Sequence, residues 1–296
     1  MINSRFGIGI GLSIGRLLPP KIGYPLARTV GRIIANRKDS PMVQAARANQ
    51  WVISGEKLSS EQLDQAVYNN LQVAARCQYD LYHNLKNTSR IMQMVKFTDS
   101  AEEAIQISLN SKKGFIAVGL HISNLDIGFI ALSQRGVRVL AISVPEPGGG
   151  YRWQNDLRNE LGFEFYPASK SAFRAAQNRL KNGGTVISGI DRPIEDMKYR
   201  PNFFGRQASL PVFHVLLGLK FKLPIYITST VLDNDGLYRM QVSEPIYLRQ
   251  YDNRYNEIIF NAEAVLEVAE EIISQAPQQW VMYYPVWPEV MDLVPR

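Results

Sequence analysis

The chain has one cysteine, Cys77, in 296 residues. That excludes an intramolecular disulfide and any cysteine-cluster metal site. Cys77 lies in a helical pattern and reads as a small core residue. Histidine is nearly as scarce: His83, His121 and His214 are the only three, so few imidazoles compete for acid–base work. No stretch reaches the ~18 consecutive apolar residues of a membrane-spanning helix. The apolar, glycine-rich run from Phe6 to Ile14 is closed by Arg16 and Pro19-Pro20. With only Arg5 before it and no small-x-small cleavage site, it does not read as a secretory signal. There is no G-x-S-x-G elbow, no P-loop lysine, no G-x-G-x-x-G after a strand, and no His/Asp/Glu cluster with metal-ligand spacing. Neither a metal nor a cofactor is expected.

Acidic residues are missing from the first 38 positions, which carry seven basic ones: Arg5, Arg16, Lys21, Arg28, Arg32, Arg37 and Lys38. These seven exceed the net charge of +6, so the rest of the chain is negative by one. The basic character therefore belongs to the N-terminal segment alone. Its cations are spaced among Ile, Leu, Gly and Val, without the clustered face and interleaved readers of a nucleic-acid surface. An anionic membrane surface is the expected partner, where each Lys or Arg contributes about 1 kcal/mol. The expectation is a peripheral, monotopic protein on the cytoplasmic face of the plasma (inner) membrane, with no nucleic-acid partner.

With 46% hydrophobic residues, the chain can bury a large core. Helical patterns fall near Tyr24–Ala35, Met42–Ile53, Glu61–Leu85 and Ser100–Leu109, the third opened by the capping box Ser59-x-x-Gln62. From there strands alternate with helices. The strand-like runs are Phe115–Leu120, Val137–Ser143, Phe163–Tyr166, Thr185–Ile190, Ile225–Val231 and Tyr238–Val242. Helix-like runs are Leu125–Gln134, Tyr151–Leu161, Ser171–Leu180, Pro211–Leu219 and Tyr255–Ser274. This order predicts an α/β fold, with a mostly parallel sheet flanked by helices and a helical, membrane-associating N-terminal region. The expected organisation is a single domain over 1–296: a basic amphipathic, membrane-associating segment to 40, a helical region over 41–110, and an α/β core over 111–296.

In such sheets ligands collect at the carboxyl ends of the strands. His121 follows the first core strand, and Asp191 follows Thr185–Ile190. The spacing His121-x4-Asp126 fits an oriented general base: a carboxylate fixes one ring nitrogen, and the other takes a proton from a hydroxyl. Ser123-x-x-Asp126 equally fits a cap on the helix that follows. Arg152 and Arg158 are candidate phosphate clamps, and Gly148-Gly149-Gly150 is a turn ahead of a helix. The loop Asp191-Arg192-Pro193-Ile194-Glu195-Asp196 concentrates charge after a strand. Phe203-Phe204-Gly205-Arg206 reads either as a lipid-chain and phosphate contact or as a hydrophobic loop anchor. His83 and His214 read as structural.

Taken in order, His121-x4-Asp126 (an HX4D motif), Arg158 with Gly162, the strand into Asp191, Phe203-Phe204-Gly205 and Leu223-Pro224-Ile225 resemble the lysophospholipid acyltransferase superfamily. The chain looks most like its bacterial lipid A biosynthesis branch, which includes the phosphatidylinositol mannoside acyltransferases. Pro277-Gln278-Gln279-Trp280-Val281-Met282 is similar to that branch's C-terminal Pro-x-x-Trp segment. The resemblance spans about Gly114 to Trp287, and more loosely the N-terminus. The branch often has Glu where this chain has Asp126, and the Pro-Glu-Gly element of glycerolipid acyltransferases is absent here.

The resemblance implies an acyltransferase for groups other than aminoacyl. It would move a fatty acyl group from a thioester, on coenzyme A or acyl carrier protein, to a hydroxyl of a membrane (glyco)lipid. His121 is then the expected base and Asp126 its orienting carboxylate, without metal or cofactor. Arg158, Asp191, Glu195, Phe204, Gly205 and Arg206 are the expected substrate contacts. Two other readings share most of these features: a peripheral lipid-binding protein without turnover, and an acyl esterase.

Overall fold

A computed structural model describes residues 15–110, 112–143, 158–160 and 163–296. Helices lead, among them α1 (Pro20–Ala35), α2 (Pro41–Ile53), α3 (Ser60–Asn84) and α4 (Thr88–Met94). The core follows as β1 (Val95–Phe97), α5 (Asp99–Asn110), β2 (Phe115–Gly119), α6 (Leu125–Gln134), β3 (Val139–Ser143) and β4 (Glu164–Pro167). After these come α7 (Lys170–Lys181), β5 (Thr185–Gly189), the short pair β6 (Asn202–Phe203) and β7 (Arg206–Gln207), and α8 (Phe213–Phe221). The last elements are β8 (Ile225–Leu232), β9 (Tyr238–Val242) and α9 (Arg254–Gln275). Of the helix expected at Tyr151–Leu161, residues 158–160 are helical, and the remainder, with the Gly148–Gly150 turn and Arg152, lies outside the described residues.

Seven strands form one sheet in the order β1-β9-β8-β2-β5-β3-β4. Only β8 and β9 run antiparallel; the other neighbours are parallel. β2 is buried along its whole length, as expected for a central strand covered on both faces. Odd and even positions divide between two cores. Val118, Val186 and Ile227 pack with residues of α7, α8 and α9, while Ala117, Ile187 and Ala141 pack with residues of α4, α5 and α6. The expected mostly parallel α/β sheet is thus observed, and among the described residues the strands and α-helix not expected from sequence are short, including β1, α4 and the β6–β7 hairpin.

α3 ties the helical region to the sheet. Its 25 residues span about 37 Å, and Leu63 joins one core while Cys77 and Leu81 join the other. The Ser59–Gln62 capping box is formed as expected. Near its far end, buried Asp80 accepts hydrogen bonds from Tyr24 of α1 at 2.9 Å and Tyr238 of β9 at 2.8 Å. Burial pushes the Asp80 carboxyl up, against the pull of these two donors and Arg76.

α1 packs on α3 through small residues. Gly23, Ala27 and Gly31 are its buried positions, one per turn on a single face. A Cβ at Gly31 would stand 2.9 Å from the Leu71 carbonyl oxygen, so only glycine allows the helices this close. The same helix leaves Ile22, Leu26, Val30 and Ile33 exposed. Among the described residues, no helix is long and apolar enough to cross a membrane.

Candidate functional site

β2 and β5 are parallel neighbours, with Gly119 paired to Gly189. His121 and Asp191 each stand two residues beyond these glycines. In-register parallel strands lie about 4.8 Å apart, so two side chains 70 residues apart in sequence arrive side by side at the carboxyl end of the sheet. His121 Nδ1 is 2.6 Å from Asp191 Oδ1. Asp191 Oδ2 accepts the His121 backbone N–H at 2.8 Å and the Trp280 indole N–H at 2.8 Å.

The two partners differ in exposure: the Asp191 side chain is at 0% and that of His121 at 30%. Burial alone would push the Asp191 carboxyl up. The His121 charge, the His121 side-chain and backbone hydrogen bonds and the Trp280 indole together outweigh it and hold the carboxyl below its ordinary value. Asp191 is therefore an anion, and the proton shared with a neutral imidazole belongs on Nδ1. Nε2 is left as the lone-pair nitrogen, with no hydrogen-bond partner among the described residues. The ring lies over the end of β5, where a Cβ on Gly189 would touch His121 Cε1 at 3.4 Å.

A second strand-like contact fixes this loop from the C-terminal side. Ile122 and Trp280 form an antiparallel bridge. Val281 N–H donates to the His121 carbonyl at 2.7 Å, and Ser123 N–H to the Gln279 carbonyl at 2.8 Å. Ser123 has φ +48°, and its hydroxyl pairs with the Gln279 side chain. Its side chain is thus engaged elsewhere, and the helix cap expected of it falls to the next residue: Asn124 Oδ1 accepts the Ile127 N–H at 3.2 Å.

Asp126 sits at the second position of α6, with its carboxylate turned to Arg158. Arg158 Nε donates to Oδ1 at 2.7 Å and Nη2 to Oδ2 at 3.0 Å. The expected pairing of Asp126 with the His121 ring is therefore corrected: Asp191 occupies Nδ1, and Asp126 is engaged by a bidentate guanidinium. The reason is local. His121 points back across β5, while the positive-φ turn at Ser123 carries the chain into α6 before Asp126 is reached. Arg158 also stacks over Phe165, 5.0 Å from the ring centroid.

The remaining expected contacts are spread out. Glu195 is exposed on the loop after Asp191. Phe204 and Gly205 both have positive φ, 49° and 74°, as a tight β6–β7 hairpin turn requires. The Phe204 N–H donates to Glu270 at 2.5 Å. Arg206 pairs with Glu56 at 2.5 Å, in the turn after α2. Phe203 and Phe204 pack against Trp287, and Phe203 also against Trp280. The hairpin thus anchors itself in the aromatic cluster behind Asp191. His214 is buried in α8, and desolvation pushes its pKa down to about 3. His83 Nδ1 meets the Gly15 carbonyl at 2.8 Å. Among the described residues, no group of three His, Cys, Asp or Glu side chains is placed to hold a metal ion.

Trp280, which donates to Asp191, and Gln279, which pairs with Ser123, are contacts of the candidate site that residue patterns alone do not assign. The sequence signal for both is the Pro-x-x-Trp segment, which carries a resemblance and no contact. No curated protein matches the chain. A family model described as bacterial lipid A biosynthesis acyltransferase matches residues 4–288, a span that includes His121, Asp126, Arg158, Asp191 and Trp280. The chain belongs to that family of acyltransferases acting in lipid biosynthesis.

Proposed function

We propose that this protein transfers a fatty acyl group from an acyl thioester, on coenzyme A or acyl carrier protein, to a hydroxyl of a membrane (glyco)lipid. One observation carries the reading. His121 holds Nδ1 against a buried aspartate and presents the opposite, partly exposed edge of its ring. That is the arrangement of a general base with a fixed tautomer.

In this reading Nε2 takes the proton of the acceptor hydroxyl as its oxygen adds to the thioester carbonyl. The tetrahedral intermediate expels the thiolate, which recovers the proton from the imidazolium. The products are an ester and a free thiol. Asp191 stabilises the imidazolium while it exists. Negative charge on the carbonyl oxygen calls for a donor, a role we assign to Arg158, aimed by Asp126.

The acceptor side is a membrane surface. On α1, Ile22, Leu26, Val30 and Ile33 form an exposed apolar stripe, and the cations Lys21, Arg28 and Arg32 are exposed on the same helix. An interfacial helix with this division suits the anionic cytoplasmic face of the inner membrane.

The test is product analysis with a long-chain acyl-coenzyme A and, separately, an acyl carrier protein donor, each with bacterial lipid extract. The proposal expects one new lipid ester for each thiol released, with release dependent on lipid. Equal thiol release without lipid, yielding free fatty acid, would instead identify an esterase.

A further inference from the structure

We infer that Trp280 is a positioning residue of the site, whose indole N–H locks the Asp191 carboxylate in the orientation that fixes the His121 tautomer. The inference rests on the reading of His121 as the base. Asp191 is fully buried, so no solvent holds its carboxylate in place. Two donors meet on Oδ2, the His121 backbone N–H and the Trp280 indole, and leave Oδ1 for the imidazole. The backbone donor belongs to the same residue as the ring. The indole is the only one of these donors that comes from outside His121.

Trp280 is itself held. Its backbone bridges Ile122, the residue is 1% exposed, and Phe203 and Trp287 pack against it. A donor on a rigid ring that spends no freedom at the moment of reaction is what preorganisation requires. The C-terminal segment therefore completes a site otherwise built at the ends of β2 and β5.

Trp287 supplies a matched comparison. It is fully buried in the same aromatic cluster, yet its indole nitrogen has no hydrogen-bond partner among the described residues. Trp280→Phe and Trp287→Phe each remove one indole from one cluster, and only the first removes a donor to Asp191.

The experiment is nitrogen-15 NMR of the imidazole rings in the full-length protein, at a pH where His121 is neutral. It needs no substrate, so it stands apart from any failure of the acyl-transfer reading. His121 signals are assigned by their loss in His121→Ala. The wild type and Trp287→Phe are expected to show His121 with its proton on Nδ1. Trp280→Phe is expected to show a mixture with the Nε2-protonated form, and a kcat lowered about tenfold at unchanged KM. Should Trp280→Phe fail to fold, the indole protons of the wild type decide. The Trp280 proton, donated to an anion, is expected downfield of the Trp287 proton, which is assigned by its loss in Trp287→Phe. A pure Nδ1 tautomer in Trp280→Phe, an equal disturbance in Trp287→Phe, or coincident indole shifts would overturn the inference.

Discussion

Asp126 holds Arg158 through both carboxylate oxygens, at 2.7 and 3.0 Å. The pair is mostly sheltered, with side-chain exposures of 24% and 16%, and it joins the start of α6 to the segment at 158–160. The motif carboxylate thus serves a cation, and the histidine of the same motif is served by an aspartate 70 residues away.

That division makes a double-mutant cycle informative. Asp126→Ala and Arg158→Ala should each destabilise the fold, and their combination should cost less than the sum, with a coupling of about 1–3 kcal/mol. Urea unfolding of the four proteins measures it. Additive losses would mean that the bidentate contact contributes nothing in solution.

His214 gives the fold a pH dependence of known sign. Its folded pKa is pushed down to about 3 from an ordinary 6.5. Below pH 6.5 the unfolded chain takes up a proton that the folded chain refuses, so stability falls as pH falls, until the folded value is reached. At pH 5 the penalty relative to pH 7 is about 2 kcal/mol. His214→Leu should remove that slope. It should not be less stable at pH 7 by more than about 1 kcal/mol, because both ring nitrogens are buried without partners among the described residues and burying them carries its own cost. Urea melts at pH 7 and pH 5 decide; parallel losses in both proteins would contradict the assignment.

The exposed stripe of α1 is open to a direct test. Leu26→Glu with Val30→Glu places charge on positions that touch solvent, so the melting temperature should barely move. Binding to vesicles containing phosphatidylglycerol should weaken more than tenfold. Undiminished binding would move the attachment surface away from α1.

Much of this was legible in the chain. The sheet strands recur at their expected positions because each is a short apolar run bounded by turn residues, and Tyr238–Val242 matches residue for residue. β1 and α4 are only three and seven residues long, too short for a periodic signal. His121 and Asp191 were both placed at strand ends by pattern alone. Their pairing was not legible, because it depends on β5 lying beside β2 with β3 and β4 beyond it. Asp126 looked like the partner because sequence measures distance along the chain, and Ser123's left-handed turn spends the short spacing on redirecting the backbone. Trp280 stands out in the sequence only through the Pro-x-x-Trp resemblance; its contact with Asp191 is set by the fold, which alone shows where its N–H points.

The central claim is that His121 and Asp191 act as one catalytic unit. It is tested most directly by acyl-transfer rates of folded wild type, His121→Ala, Asp191→Asn and the double variant, with melting temperatures recorded alongside. His121→Ala should lose about 10²–10⁴-fold in kcat. Asp191→Asn should approach that loss, since an amide cannot stabilise the imidazolium and can reverse the tautomer. The double variant should be no slower than His121→Ala alone. A folded His121→Ala or Asp191→Asn protein that transfers acyl groups at the wild-type rate would contradict the account.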